Sequence, residues 1–537
     1  MKKHIYLKSQ ADKLTAGQID RRQFIMSALA AGVVLPTAMS MAGDAIAATP
    51  NKGGLLRHAT GYGSTTDSID PATSNNGFSQ NVIYTRGNHL TEIGADGKLR
   101  PELAESFEPA DGAKKWIFNL RKGVTFHNGK TLTADDVIAT FNIHRGKDTK
   151  SSAKALVTAV TDIKKDGDNR VIFEMSEGNA DFPFLVSDYH FMIMASDGSG
   201  AVDVTAMDNS TGGYQLTSYE AGVRAEFKNN GNYWKSDHAH FDAVSLLSVV
   251  DPTARQSALL NGDVDVADNI DPKTVALMAR VPIVEILETT GTQHYTFPMR
   301  LDVDPFGNAD LRMALKLAID RDELVEKILL GHGVAGNDIP VNPVMPFFND
   351  QIAQRTFDPE KAAEHYKKSG HSGPIKLSVA DAAFSGAVDA GQLIAASAKK
   401  AGIEIELVKE PNDGYWSNVW NKKGWCACYW GGRPTQDWMY SSAYTKDNNW
   451  NDTAWRDTAA ADRFNEVIVQ ARAETDETRR QNQYFEAQQL LHDDGGAIVA
   501  MWANYILAHS KKLAHGPDVA ANWQNDGNKM SERWWFS

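Results

Sequence analysis

The sequence is poor in cysteine, with only Cys426 and Cys428 among its 537 residues. So few cysteines exclude a disulfide-stapled fold and a cysteine-rich metal site. The sequence also lacks internal repeats and low-complexity tracts, which excludes solenoid and fibrous architectures. Its apolar run near the N-terminus is shorter than the roughly 20 residues that a membrane-spanning helix needs. A multi-span membrane protein is therefore excluded as well.

Basic residues are outnumbered, because 55 Lys and Arg stand against 68 Asp and Glu, for a formal net charge of −13. This acidic balance argues against nucleic acid or an anionic membrane surface as the main partner. The remaining composition, 42% hydrophobic and 23% charged, is that of a soluble protein. Such a length predicts roughly two to four domains. The 13 tryptophans are of interest because Trp serves ligand sites as well as cores.

The first 47 residues have the pattern of an export signal. Four lysines precede Arg21 and Arg22, an apolar run follows from Phe24 to Leu35, and Ala45–Ala47 forms a small-residue cleavage site. The adjacent arginines resemble a twin-arginine signal, which predicts export of a folded protein to the periplasm. An amphipathic helix or an uncleaved anchor are the alternatives. Residues 1–47 carry six basic and three acidic side chains, so the remaining chain has a formal charge of −16.

Alternating strand and helix patterns after the signal predict an α/β protein with more than one domain. Apolar residues alternate with polar ones along 115–121, as in a half-buried strand, and Thr133 is a helix N-cap followed by two acids. Apolar residues at helical spacing predict a helix over 311–319. The segment 374–408 reads as strand, helix and strand, which predicts a parallel pair.

The catalytic motifs that we tested fail. Gly331–Gly336 matches G-x-G-x-x-G but follows a helix rather than a strand, and H-E-x-x-H and G-x-S-x-G are absent. We interpret His238–His240 as a polar loop rather than a zinc site, and Cys426 and Cys428 as buried thiols rather than a redox pair. Catalytic triads assemble in space, so an exported hydrolase or peptidase stays open as an alternative.

Four stretches together resemble the extracytoplasmic solute-binding proteins of ABC importers, in the family that takes up peptides, opines, glutathione and nickel. The stretches are 101–137, 210–234 with its Gly turn and Asn-Tyr-Trp hairpin, 258–265, and 311–331. The resemblance implies a two-lobed periplasmic-binding-protein fold with a hinge and an extra inserted domain. It places the first lobe at 48–85, 205–290 and 485–537, the inserted domain at 86–204, and the second lobe at 291–484.

The resemblance also implies the function. The protein would not be an enzyme and would need no cofactor. It would close its lobes on a peptide- or opine-like ligand and deliver that ligand to a membrane permease, working as a monomer. A metal- or haem-binding member of the same family is a further alternative.

Peptide-binding members have a Trp-x-x-Asp motif whose Asp pairs with the ligand's ammonium group. Here Trp430 is present but Arg433 stands at the Asp position. Because a guanidinium binds carboxylates and repels ammonium groups, we expect a ligand with an anionic group. The other candidate ligand residues are Gly431, Gly432, Asp437, Trp438, Tyr440 and Tyr62. Asp437 would supply a counter-charge, and in the alternative Arg433 pairs with Asp437 or another acid and only braces the loop.

Overall fold

The computed structural model describes Gln10, Lys13, residues 21–31 and residues 50–537, apart from Val344, Pro434 and Thr475. Residues Arg21–Ala30 form a helix, whereas the predicted cleavage site at 45–47 lies outside the described residues. Within the described part of the chain, no helix is both long and apolar enough to cross a bilayer. The rest is a mixed α/β structure built on three larger sheets.

A seven-stranded sheet, called here the large sheet, gathers strands from distant parts of the chain. Its central strand Leu55–Thr60 pairs in parallel with Ala243–Ser248 on one side and Val266–Ala267 on the other. In spatial order the strands are Val284–Thr289, Tyr505–Ser510, Val266–Ala267, Leu55–Thr60, Ala243–Ser248, Arg224–Asn229 and Tyr214–Glu220. The carboxyl ends of parallel strands are where ligands bind in open α/β sheets.

A four-stranded antiparallel sheet, called here the second sheet, is joined directly to the large one. Its order is Gly333–Ala335, Val499–Ala503, His294–Thr296 and Cys428–Trp430. The strand Val499–Ala503 continues through Asn504 into Tyr505–Ser510 of the large sheet. A second connection runs from Thr289 to His294. The two sheets are therefore linked by two short adjacent crossovers, the arrangement of a hinge.

A third sheet belongs to the segment inserted between the first and second strands of the large sheet. Its antiparallel order is Ala104–Ala110, Lys115–Leu120, Arg170–Met175 and Val160–Lys165. Along Lys115–Leu120 every second side chain is buried, which confirms the predicted half-buried strand. Three two-stranded pairs complete the strands: Thr91–Ile93 with Leu99–Pro101, Ile375–Val379 with Ile405–Lys409, and Leu513–Ala514 with Trp535–Phe536.

The helices confirm most of the sequence patterns. Thr133 caps Ala134–Ile143 in a capping box with Asp136, and Ile375–Val379 pairs in parallel with Ile405–Lys409 across a helix. The other described α-helices of this part are Gly77–Arg86, Phe182–Leu185, Pro252–Asn261, Pro272–Met278, Ala309–Leu317, Arg321–Leu324, Pro359–Ser369, Ala387–Lys399, Tyr415–Asn418, Gln436–Ala443, Ala459–Ala473, Glu477–Asp494 and Met530–Arg533. Both cysteines are buried and free, and His238–His240 lies in a loop before the strand Ala243–Ser248.

A buried ion network ties the C-terminal segment to the inserted segment. Lys235 Nζ lies 3.0 Å from both Glu92 and Glu102 and 2.7 Å from Glu532. Lys529 Nζ contacts Glu92 at 2.6 Å and Glu102 at 2.5 Å. The three carboxylates converge as metal ligands would, but the two ammonium groups and the Arg533 guanidinium, 3.9 Å from Glu92, already balance their charge. We read this cluster as a structural brace, since buried charges persist only when paired.

Candidate functional site

A narrow cleft lies between the second sheet and the C-terminal part of the chain. It encloses about 440 Å³ of space between its walls, a figure that includes open solvent. Its walls are Asn75, Gln80, Tyr189, Trp416, Trp420, Tyr429, Trp430, Gly431, Arg433, Trp450, Trp523 and Gln524. Because these residues come from four distant segments, opening the lobes would take the site apart.

Contacts across the cleft show that the lobes are closed in this structure. Thr65 Oγ1 donates to Asp413 Oδ1 at 3.1 Å, and the Thr66 and Ser417 hydroxyls lie 2.9 Å apart. Lys273 forms an ion pair with Asp389 at 2.7 Å. Each of these contacts joins a residue near the large sheet to one in the segment 375–430, so the closed form has its own stabilising contacts.

One wall of the cleft is a group of four indoles, Trp416, Trp420, Trp430 and Trp450, called here the indole tetrad. Neighbouring rings meet edge to face at centroid distances of 5.7 to 6.0 Å, a favoured geometry for aromatic pairs. Behind the tetrad, Asp452 Oδ2 accepts the Trp420 and Trp430 indole N–H groups at 3.2 and 3.1 Å. Burial raises the pKa of Asp452 to about 6, although both indole hydrogen bonds lower it.

Arg433 supplies the charge of the cleft. Its side chain is 3% exposed, and its guanidinium carbon lies 4.2 Å from the Trp523 ring centroid. Nη1 donates to the carbonyl oxygens of Gly431 and Gly432 at 3.3 and 3.1 Å, and Nε donates to Ser442 Oγ at 3.3 Å. Among the described residues, no carboxylate forms an ion pair with it. Burying an unpaired charge is costly, so the position favours an anionic ligand.

The charge of Arg433 acts on Asp188, a buried acid next to the cleft residue Tyr189. Asp188 Oδ1 lies 2.5 Å from His190 Nδ1, and its Oδ2 accepts the Trp438 indole N–H at 3.2 Å. Burial alone would raise the pKa of Asp188, but the charges of His190 and Arg433 outweigh it and hold the pKa below its ordinary value. Asp188 is therefore ionised and already hydrogen-bonded.

The two glycines beside Arg433 allow close packing within the protein. A Cβ at Gly432 would overlap Thr292 Oγ1 and the carbonyl oxygen of Asn522, and one at Gly431 would lie 2.9 Å from the Trp523 ring. Gly432 N also donates to Tyr505 Oη at 2.8 Å. The glycines thus let the backbone after Cys428–Trp430 contact the C-terminal segment, as a closed cleft requires.

Five predicted ligand residues lie outside the cleft lining, namely Gly432, Asp437, Trp438, Tyr440 and Tyr62. Asp437 is fully buried, and its Oδ1 lies 2.5 Å from Arg472 Nε, so the alternative in which it pairs with Arg433 is not what the structure has. Trp438 lies one layer behind Arg433, at 5.8 Å from the guanidinium carbon. Tyr440 is a core residue whose hydroxyl donates to Gln436 at 3.1 Å.

Tyr62 borders a second cavity at the hinge and packs on the cleft residue Tyr429, with ring centroids 5.2 Å apart. The hinge cavity, with about 530 Å³ of space that includes open solvent, also contacts Asp268 and Asn504 and shares Gln524 with the cleft. Tyr62 follows the central parallel strand Leu55–Thr60 of the large sheet, and its role as a ligand residue stays a prediction.

Sequence reasoning missed the cleft residues that come from far along the chain. Tyr189 follows the helix Phe182–Leu185, Gln80 lies in the first turns of Gly77–Arg86, and Trp523 and Gln524 precede a left-handed turn. That turn has positive φ at Asn525, Asp526, Gly527 and Asn528. The run Asn-Asp-Gly-Asn is the signal that was available, because these residues tolerate left-handed backbone best.

Two lobes that meet over an aromatic, singly charged cleft are the architecture of a solute-binding protein. The family model for bacterial extracellular solute-binding proteins, family 5, matches residues 98–452. The chain belongs to this family, and it is the solute-binding component of an ABC importer. The recognition made from the sequence motifs is thereby confirmed.

Named relatives have several ligands. The dipeptide-binding protein of Escherichia coli K12 is 24% identical over 451 residues, covering 76% of this chain and 81% of the relative. Heme-binding protein A of Haemophilus influenzae is 26% identical over 327 residues, 56% of this chain and 59% of that protein. The solved structure of AgaA from A. tumefaciens R10 with agropinic acid has a TM-score of 0.83 at 21% identity, covering 90% of this chain and 99% of that one.

Proposed function

We propose that this protein captures a small organic anion, of the opine or acidic-peptide type, and delivers it to an ABC permease without chemical turnover. The observation that carries the proposal is Arg433, a buried guanidinium in the cleft wall without a carboxylate partner among the described residues. Among the residues that the structure describes, none of those lining the cleft is Asp, Glu, His or Cys. An ammonium group or a metal ion would therefore find no anionic or imidazole partner on these walls.

The relatives support a range of ligands that includes this class. AgaA is solved with agropinic acid, a Helicobacter pylori DppA with the peptide STSA, and a Campylobacter jejuni NikZ with Ni(L-His). Of these ligand types, a compound that has a carboxylate and does not depend on a free amino group for binding fits the positive charge of this cleft best. The indole tetrad adds an apolar surface suited to a hydrophobic or ring-bearing part of the ligand.

A matched ligand panel tests the proposal. The panel consists of N-(1-carboxyethyl)phenylalanine, its diamide, the dipeptide Ala-Phe and Ala-Phe amide. Thermal shift and calorimetry should rank the dicarboxylate first and both amides last. A ligand at 100 times its Kd stabilises the folded protein by about 2.7 kcal/mol, which sets the size of the expected shift. Mass spectrometry should recover every compound unchanged. Equal stabilisation by the amides, or cleavage of Ala-Phe, would refute the proposal.

We further propose the domain division predicted from the sequence, with one refinement. The strands of the large sheet fall within 48–85, 205–290 and 485–537, and the third sheet falls within 86–204. The strand Val499–Ala503 pairs with His294–Thr296, so we place the last crossing between lobes at Asn504. This division supports capture by hinge closure, with the protein acting as a monomer.

Periplasmic location through the twin-arginine route is the last part of the proposal. It rests on Arg21 and Arg22 before an apolar run and on an extracytoplasmic family. Replacing both arginines by lysine should leave the uncleaved precursor in the cytoplasmic fraction of a twin-arginine-competent host. Unchanged export of that variant would refute the route while leaving ligand capture untouched.

A further inference from the structure

Two buried hydrogen-bond donors beside Arg433 are not fully satisfied by the described residues. The Trp523 indole N–H is buried without a hydrogen-bond partner, and the Tyr189 hydroxyl has only the Gln80 amide beside it, although both side chains line the cleft. Buried polar groups are nearly always satisfied, so an unsatisfied donor requires a cause. A ligand that binds at this wall is the cause that their position in the cleft indicates.

The two donors and Arg433 form one contiguous cluster. The Trp523 ring lies 4.2 Å from the guanidinium carbon of Arg433, and the Tyr189 and Trp523 ring centroids are 5.7 Å apart. Gln80, next to the Tyr189 hydroxyl, adds an amide from the first turns of the helix Gly77–Arg86.

The backbone that presents Trp523 is strained and firmly held. Four consecutive residues, 525–528, have left-handed φ values of 56 to 67°, a conformation that costs energy for residues other than glycine. Asn525 Nδ2 donates to Asp268 Oδ2 at 2.8 Å, and Asp526 Oδ1 accepts the Ala520 N–H at 2.8 Å and contacts Arg533 at 3.1 Å. Backbone strain that its surroundings maintain is concentrated at functional sites.

We propose that Arg433, Trp523 and Tyr189 together form a carboxylate receptor, with Trp523 and Tyr189 as specificity-determining residues. This inference rests on the proposed function and deepens it. Each of the three groups donates hydrogen bonds to an anionic oxygen, and the indole N–H cannot accept one. Because the donors come from residues 189, 433 and 523, in different parts of the fold, the anion is fully coordinated only when the cleft is closed.

Single-donor deletions test the receptor. Tyr189→Phe removes one hydroxyl without changing the ring, and Trp523→Phe removes the indole N–H while keeping an aromatic surface for Arg433. Tyr440→Phe is the matched control, because it deletes a buried hydroxyl that lies outside the cleft lining. The readout is the ratio of the Kd of N-(1-carboxyethyl)phenylalanine diamide to that of the free dicarboxylate, measured by calorimetry.

We expect the ratio to fall about tenfold in Tyr189→Phe and in Trp523→Phe, because each loses one hydrogen bond to a charged group, and to stay at the wild-type value in Tyr440→Phe. A purely structural role would weaken both compounds equally and leave the ratio unchanged. If the ratio is large in the wild type and stays large in both variants, the receptor hypothesis is wrong, whereas the proposed function stands. A ratio near one in the wild type would overturn the proposed function together with the receptor.

Discussion

Replacing Arg433 should separate ligand affinity from fold stability. Arg433→Gln removes the charge and keeps a planar hydrogen-bonding group at a position that is 3% exposed. Removing one partner of a buried charge pair costs about 2–5 kcal/mol of binding. At about 2.7 kcal/mol, the Kd for a carboxylate ligand rises about 100-fold.

This loss has a defined thermal signature. At a ligand concentration of 100 times the wild-type Kd, the stabilisation of about 2.7 kcal/mol falls to about 0.4 kcal/mol in the variant. Without ligand, the variant loses hydrogen bonds to two glycine carbonyls and Ser442 and the stacking on Trp523. The variant also avoids the free-energy cost of burying a charge, and this gain is similar in size to the loss of the hydrogen bonds and the stacking. We expect the stability of the unliganded protein to change little.

Calorimetry and thermal unfolding, with and without N-(1-carboxyethyl)phenylalanine, measure both quantities. Arg433→Lys is the matched variant, because it keeps the charge but loses the two-pronged geometry, and we expect about tenfold weaker binding. Undiminished affinity of Arg433→Gln for the dicarboxylate would refute the reasoning. A large drop in unliganded stability with unchanged affinity would show that Arg433 only braces its loop.

Four further outcomes are expected. Glu102→Gln should lower the free energy of unfolding by about 3–5 kcal/mol, because it leaves Lys529 and Lys235 with too few buried carboxylates. Urea unfolding measures this loss, and Glu105→Gln, on the exposed side of a strand, is the control. Despite burial, Lys529 and Lys235 hold the pKa of Glu102 well below 4.5. The stability that this network adds is therefore complete above pH 4.5 and should be lost progressively as the pH falls below it. A free energy of unfolding that does not change with pH below 4.5 would contradict the pairing. Asp452→Asn should increase the free energy of unfolding at pH 8 by about 3 kcal/mol at most, because burial raises the pKa of Asp452 from 3.8 to about 6 and the wild type therefore gains stability as the pH falls through 6. If variant and wild type have equal free energies of unfolding at both pH 8 and pH 4, this prediction is wrong. Gly432→Ala should keep the lobes apart, which solution scattering with saturating ligand would detect as a larger radius of gyration. Gly231→Ala, which adds a Cβ in open space, should leave the radius of gyration unchanged. A wild-type radius of gyration in Gly432→Ala would count against the close backbone approach.

The parts of the fold that the sequence predicted are those set by local periodicity. Lys115–Leu120 alternates buried and partly buried residues, and Thr133 caps its helix through Asp136, because both patterns are contained in a few neighbouring residues. Arg433 was also predicted, since it replaces an acid within a short motif. The pairing of Asp437 was not, because its partner Arg472 lies on another helix.

The parts that the sequence did not reveal depend on long-range contacts. Tyr189 and Trp523 become neighbours only after the inserted segment and the C-terminal segment have packed together, and the one local signal is the Asn-Asp-Gly-Asn run that follows Trp523 and Gln524. The strand Val499–Ala503 was expected in the first lobe, yet its pairing with His294–Thr296 joins it to the second sheet. Pairing between strands far apart in the chain is set by tertiary packing rather than by local propensity.

The indole tetrad gives the protein an optical reporter of its own. The four indoles are joined by four edge contacts, with paired centroids 5.7 to 6.0 Å apart, and rings this close couple their electronic transitions. Coupled transitions produce paired near-ultraviolet circular dichroism bands whose size depends on the angles between the rings. Ligand entry therefore has a spectroscopic readout that needs neither dye nor label, and the bands should weaken most when Trp420, a member of three of the four pairs, is replaced.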